Sequence, residues 1–264
     1  MSGTGSDAAP GGVVLVRLVD TDVERPQLTA AIDEALLDAR MARRSDDTVH
    51  LYRRRPASVS IGYFQRAGDV ADLDACRGDG VPVVRRISAG GAIYTDERQL
   101  VYALTHRPSR AIRAVEGFDL VCGAIVRALD RLGVRGAGRE GVNDVVVGTA
   151  KVSGSAQVVR RGTHLLHGTV LVDVDREALG RYLRPGAPKE AVRGHASPAD
   201  RIATLAEVLG APPPMGRVKA LVAEELARAV EGELEPGHLD DRERTEALRL
   251  EEERYSRDEW NLRR

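Results

Sequence analysis

Lysine is almost missing from this chain: three of its 39 basic residues, Lys151, Lys189 and Lys219, are lysines and the rest are arginines. Where arginine is the habitual cation an ammonium invites scrutiny, because a compact point charge and a planar fork are not interchangeable. Cysteine is equally scarce. Cys76 and Cys122 form no CxxC pair and no Cys/His metal spacing, which excludes a disulfide framework and a zinc ribbon and fits a reducing cytoplasm. Only Phe64, Phe118 and Trp260 supply large apolar rings, so the core must be built from Val, Leu, Ala and Ile. Excess charge is lacking too: 39 basic against 40 acidic residues leave a formal net charge of −1, which argues against nucleic acid or an anionic membrane as partner. No apolar run reaches the roughly 18 residues a membrane span needs. Residues 1–12 have neither a basic n-region nor an apolar h-region and read as a disordered lead-in.

What is present is an irregular alternation of strands and helices. Residues 13–19 form a short β-branched run that predicts a strand. Ala30, Ala31, Ile32, Ala35, Leu36, Leu37 and Ala39 give the next segment one apolar helical face, with Asp33 and Glu34 expected largely outside it. Short extended runs follow at 50–53, 58–62, 81–87 and 99–104, then an amphipathic helix at 118–132 closed by Gly133. Three extended stretches at 145–147, 151–159 and 164–172, broken by Gly148, Gly154 and Gly162, predict hairpin-linked antiparallel strands. Beyond Asp175 the pattern is helical and Pro-interrupted, and 242–255 reads as a highly charged helix facing solvent or a partner. Without regular βαβ alternation the expectation is an α+β fold, a mostly antiparallel sheet flanked by helices. The expected division is a catalytic domain at 13–205 and a helical C-terminal extension at 206–264.

Two segments carry chemistry. In Arg85-Arg86-Ile87-Ser88-Ala89-Gly90-Gly91-Ala92-Ile93-Tyr94, small residues let the backbone approach a ligand and offer free N–H groups, while the arginines supply charge-assisted hydrogen bonds. The same pattern also describes a tight hairpin turn, and it is neither a P-loop nor a GxGxxG fingerprint. In the second, Lys151 lies beside small residues, between Asn143-Asp144 and Val152-Ser153-Gly154-Ser155-Ala156-Gln157, where its ammonium can meet a carboxylate or phosphate oxygen. His167, flanked by Leu165 and Leu166, reads first as a hydrogen-bonded core residue. Lys189 and Lys219 read as surface cations, and Cys122, inside an apolar helical run, as packing.

Taken in order, these pieces resemble the lipoate-protein ligase A family of the biotin and lipoate ligase superfamily. Ser60-Ile61-Gly62-Tyr63-Phe64-Gln65 is similar to the family's IGxxQ turn, and 84–94 to its RRxSGGGAVYHD signature. Asn143-Asp144 with 151–157 resembles ND…KxSGSAQ, His167-Gly168-Thr169-Val170-Leu171 resembles HGTLL, and 255–261 resembles a terminal YSxDEWN element of archaeal-type members. The resemblance implies ATP-dependent activation of lipoate to lipoyl-adenylate, with Mg2+ accompanying ATP, and transfer of the lipoyl group to a lysine of a carrier domain, of the 2-oxoacid dehydrogenase E2 or glycine cleavage H type. By position in the signatures, Lys151 bridges lipoate and phosphate, Arg86 contacts the adenylate, and Gly91, Ala92, Ile93 and Tyr94 form the nucleotide segment. The lipoate tail is expected in a slot lined from Val84, Ile87 and the His167 strand.

Departures are Ala89 for a signature Gly, Thr95 for His and Gln99 where Asn is frequent; Arg201 is the only residue carried over from the adenylate loop. The residues from Ala206 onward are too few for the accessory domain of single-chain members, which implies the catalytic half of a bipartite ligase with a separate small subunit and 242–260 as its docking element. The alternatives are an ATP-independent octanoyl or lipoyl transferase, a biotin ligase, whose GRGR-type loop this chain lacks, and a non-catalytic lipoate- or carrier-binding paralogue. The transferases of this superfamily place a thiol about fifteen residues before the signature lysine, where this chain has Gly136.

Overall fold

The computed structural model describes residues 14–184 and 198–263. The expected lead-in and Lys189 lie outside them. Strand β1 (Val14–Glu24) leads into helix α1 (Pro26–Met41), whose proline occupies the first turn where no N–H is needed. Then come β2 (Asp47–Arg54), β3 (Ser58–Ile61), the short helices α2 (Ala67–Val70) and α3 (Leu73–Gly78), β4 (Val83–Arg85), β5 (Ile93–Thr95) and β6 (Leu100–His106). Helix α4 (Ala114–Leu132) ends on Gly133 in the left-handed region, as expected. Four strands follow, β7 (Ala137–Glu140), β8 (Asp144–Val147), β9 (Ala150–Arg160) and β10 (Thr163–Val170). The chain closes with α5 (Arg176–Tyr182), α6 (Leu205–Leu209), α7 (Met215–Ala229), β11 (Gly232–Gly237), α8 (Asp241–Leu250), a π-helical turn (Glu251–Tyr255) and α9 (Asp258–Asn261).

The strands make an eight-stranded sheet in the order β11-β1-β2-β6-β10-β9-β8-β7 and a small sheet β4-β3-β5. Within the large sheet only the two pairings of β1 are parallel, so the expected mostly antiparallel α+β architecture holds. Helices α4 and α7 cover one face, where Leu100, Tyr102, Leu104, Ile125, Leu129, Leu166, Leu221 and Leu226 share a single core. The other face carries α1 and, outside it, α8 and the π-helical turn. The small sheet stands beside α1, packed with Tyr182 and Leu183.

The segment after residue 205 folds differently from a helical extension. Its α7 lies in the main core and its β11 extends the main sheet beside β1. An edge strand tolerates Pro236, which explains why the segment Gly232–Gly237 does not announce itself in the sequence. The charged helix is also less open than expected: Tyr255 is fully buried, and its hydroxyl donates to Glu34 at 2.7 Å beside Arg254. Asp33 and Glu34, expected outside the apolar face of α1, are buried as well.

Candidate active site

Alternate residues of β10 point to opposite faces of the sheet. Leu166 and Val170 enter the α4 core, whereas Leu165, His167, Thr169 and Leu171 floor a cavity of about 870 Å3 on the α1 side. From Leu165 to Leu171 the floor runs about 20 Å at the rise of an antiparallel strand. Around Leu165 the wall is Ala30, Ile87 and Tyr255; around Leu171 it is Tyr94, Gln99, Val101, Leu179, Leu183 and Ile202. Between them, Gly154 lies opposite Thr169, the small-residue loop meets His167 through Ser88, and Lys151 also lines the cavity.

Lys151 is placed by its neighbours. Its strand pairs with β8, bringing the ammonium to 2.6 Å from Asp144 Oδ1, with the side chain about one-third exposed. The stem crosses directly over Gly154: a Cβ there would lie 2.2 Å from the Lys151 Nζ. The glycine of the second signature is therefore the notch in which the cation rests. Lys219, by contrast, is tied to Asp20 and Asp22 on the opposite side of the fold.

The arginines of the first segment have structural tasks. Arg86 gives its Nε to the Ser88 hydroxyl and its terminal nitrogens to the carbonyls of Ser60, Ala89 and Gly91, so it clasps the small-residue loop from within. Burial, with the charge of Arg54 nearby, pushes its guanidinium down to about 10. Arg85 is fully buried and donates to the carbonyls of Gly62, Tyr63 and Gln65, binding the IGxxQ-like turn. A Cβ on Gly62 would lie 2.1 Å from the Gly90 oxygen, so the two loops touch backbone to backbone.

His167 behaves as a hydrogen-bonded wall residue. Its Nδ1 meets Asp33 Oδ2 at 3.2 Å and its Nε2 meets Ser88 Oγ at 2.6 Å. Asp33 also accepts from His50 Nδ1 at 2.8 Å and from the Tyr52 hydroxyl at 3.0 Å. Burial alone would raise the Asp33 carboxyl, but the hydrogen bonds from His167 and His50 outweigh it and hold the group far below the usual carboxylate range. The Ser88 oxygen that meets His167 Nε2 also receives Arg86 Nε at 3.1 Å. Helix α1, β10 and the small-residue loop are thereby locked in one chain of hydrogen bonds.

Neither cysteine walls the cavity. Cys122 is packed in the α4 core and Cys76 in the small-sheet core; burial raises both thiols, Cys76 to about 11. Among the described residues no group of three or more His, Cys, Asp or Glu side chains is placed to hold a metal ion, and no helix is long and apolar enough to cross a membrane.

The sequence model of the lipoyl protein ligase A/B catalytic domain matches residues 25–227. The chain belongs to this family. It is similar to the octanoyltransferase LipM of Kyrpidia tusciae, 32% identical over 94% of this chain and 98% of that one. Among solved structures it is similar to a lipoate-protein ligase A bound with ATP (25% identity, TM-score 0.80, covering 93% of this chain and 98% of the other). It is equally similar to a bipartite lipoate protein ligase from Thermoplasma acidophilum, studied with its E2 lipoyl domain (26% identity, TM-score 0.80, 94% and 95% covered). The A/B catalytic-domain family is thus established; the expected bipartite-ligase subunit is not, since curated relatives similar over nearly their whole length are octanoyltransferases.

Of the residues singled out from the signatures of the ligase A/B family, Arg86, Gly91, Ala92, Ile93, Tyr94 and Lys151 all reach this one cavity. Val84 does not: it is buried among α1 residues, and Ala30, Leu165 and Tyr255 line the slot in its place. Thr95 turns inward to Ser58 and Arg54. Asp33 and Arg54 also line the cavity without a sequence signal, because a carboxylate and a guanidinium on otherwise regular elements carry no motif.

Proposed function

We propose that the chain attaches an eight-carbon acyl group, lipoyl or octanoyl, to the lysine of a lipoyl carrier domain. One observation carries the reading: two apolar regions of a single cavity meet at Lys151, the one cavity lysine among the described residues, over a loop of small residues. An acyl chain fits the Leu165 region with its carboxyl carbon toward Lys151, where the ammonium offsets negative charge as it develops on the reacting oxygens.

The source of the acyl group divides the two readings. The named relative, similar over nearly the whole chain, favours transfer from an octanoyl thioester without ATP, over the ATP-dependent ligation expected from the signatures. The cavity favours ligation, because covalent transfer through a thiol requires one at the site and both cysteines are buried elsewhere. The neighbour bound with ATP supports this second reading, in which Ile93 and Tyr94 wall the nucleotide region. Asp144 with Asn143 suits a Mg2+ carried largely by nucleotide phosphates, the usual manner for that ion. A small accessory subunit is part of the ligation reading, supported by the bipartite neighbour.

The test runs two arms with a lipoyl carrier domain. One supplies lipoate or octanoate with ATP, with and without a small accessory subunit, and follows pyrophosphate. The other supplies octanoyl carrier protein without ATP. Ligation predicts pyrophosphate and acylated carrier in the first arm and no acylation in the second; transfer predicts no pyrophosphate in the first arm and acylated carrier, with free thiol released, in the second. Loss of ATP-independent transfer in Cys122→Ser, with the fold retained, would establish a thiol route. Lipoate or carrier binding with neither reaction would mark a non-catalytic paralogue.

A further inference from the structure

Gln99 is fully buried just ahead of β6 and walls the Leu171 end of the cavity, yet neither its amide nitrogen nor its carbonyl oxygen meets a hydrogen-bonding partner among the described residues. A buried carboxamide without partners is costly to the folded state, and it tends to persist where a ligand completes it. The cavity it walls is also lined by Val101 and Leu171 on the large sheet, Ile93 and Tyr94 on the small one, and Leu179 and Leu183 on and after α5. An aliphatic chain would satisfy such walls and leave the carboxamide unmet. A flat heterocycle with an adjacent donor and acceptor on its edge would satisfy both.

We propose that Gln99 is the base-reading residue of this cavity, its carbonyl accepting from the 6-amino group of an adenine and its amide donating to the adjacent N7. The pairing is the one glutamine makes with adenine edges elsewhere, two parallel hydrogen bonds that fix both the base and its orientation. Placed there, adenine lies between the small-sheet strand β5 and the floor strand β10, and its phosphates extend toward Lys151. Guanine presents two acceptors on that edge, O6 and N7, so a carboxamide in either orientation sets its oxygen against one of them. A purine lacking the 6-amino group leaves that oxygen unmet. The inference rests on the ligation reading of the site and adds to it the residue that selects the base.

Equilibrium binding of AMP, GMP and purine riboside monophosphate to the full chain tests it without requiring turnover. The expected result is AMP bound at least tenfold more tightly than either analogue by the wild type, with that preference collapsing to within twofold in Gln99→Leu. The ligand-free melting temperature of Gln99→Leu is expected to equal or exceed that of the wild type, because the substitution removes an unmet polar group from an apolar wall. A lowered melting temperature would mean that the amide serves the fold and would overturn the proposal. So would an unchanged AMP preference in Gln99→Leu, or a wild type that binds AMP no better than GMP. Base-selective AMP binding without pyrophosphate release in the presence of lipoate would instead overturn ligation and leave the role of Gln99 intact.

Discussion

A single ammonium among guanidinium groups is the feature on which the site turns. Lys151 faces the cavity over a glycine notch, paired with Asp144, and a planar fork in the same place is both larger and differently directed. Lys151→Arg is therefore expected to lose most acylation activity, tenfold or more, despite its retained charge; turnover near that of the wild type in a carrier-acylation assay would remove Lys151 from the chemistry. Gly154→Ala tests the notch. Its methyl group would displace the lysine stem, so kcat should fall at least tenfold while the melting temperature changes little, and unchanged kcat would show that the stem relocates freely.

Asp33 belongs to the same scale. Its carboxyl is held below its unfolded value of about 3.9, so it contributes stability that is fully present above that pH and lost as pH falls through its folded value. Asp33→Asn should lower stability at neutral pH by about 2–3 kcal/mol, the range for hydrogen bonds to a buried charged group. Urea titrations at pH 7 and pH 3 should also show a smaller acid-induced loss in the variant. An equal loss in both proteins would mean the carboxylate is not held by its histidine partners.

At the scale of elements, the C-terminal segment acts as a strap across the small sheet. Asn261 accepts from the Arg85 backbone at 2.9 Å and donates to the Tyr255 carbonyl, while the Trp260 indole donates to the Arg85 carbonyl at 2.8 Å. Arg85 in turn gives its side chain to the turn after β3, beneath the small-residue loop. Asn261→Ala leaves two buried backbone groups unmet and should cost about 1–3 kcal/mol by chemical denaturation. A cost near zero would show that the strap is dispensable. The packing of this strap also explains what the sequence left unread. Alternation, glycine breaks and Gly133 announced β8, β9, β10 and the end of α4, because each is a local signal. Nothing local announces that Tyr255 is buried against Glu34, or that Asp33 turns inward, since each depends on a partner more than a hundred residues away.

For the whole molecule, the segment beyond the expected boundary at residue 205 contributes to the main body: α7 lies in the core beneath the sheet and β11 pairs at its edge. A chain truncated after residue 205 is expected to lose cooperative unfolding by calorimetry, whereas a separable extension would leave a sharp transition. The two cavity-facing segments were legible because close backbone approach requires small residues in sequence. The cavity that unites them was not, since its walls come from α1, both sheets, α5 and the C-terminal turn.

Intact-mass measurement of a lipoyl carrier domain after incubation with the chain, with an accessory small subunit present, tests the proposed role of Lys151 most directly. Lipoate with ATP is supplied in one arm and octanoyl thioester without ATP in the other. The wild type is expected to add one acyl mass to the carrier lysine in one arm, and Lys151→Met to abolish it there. A carrier left unmodified in both arms would contradict acyl attachment by this chain, and equal acylation by Lys151→Met would contradict the role of Lys151.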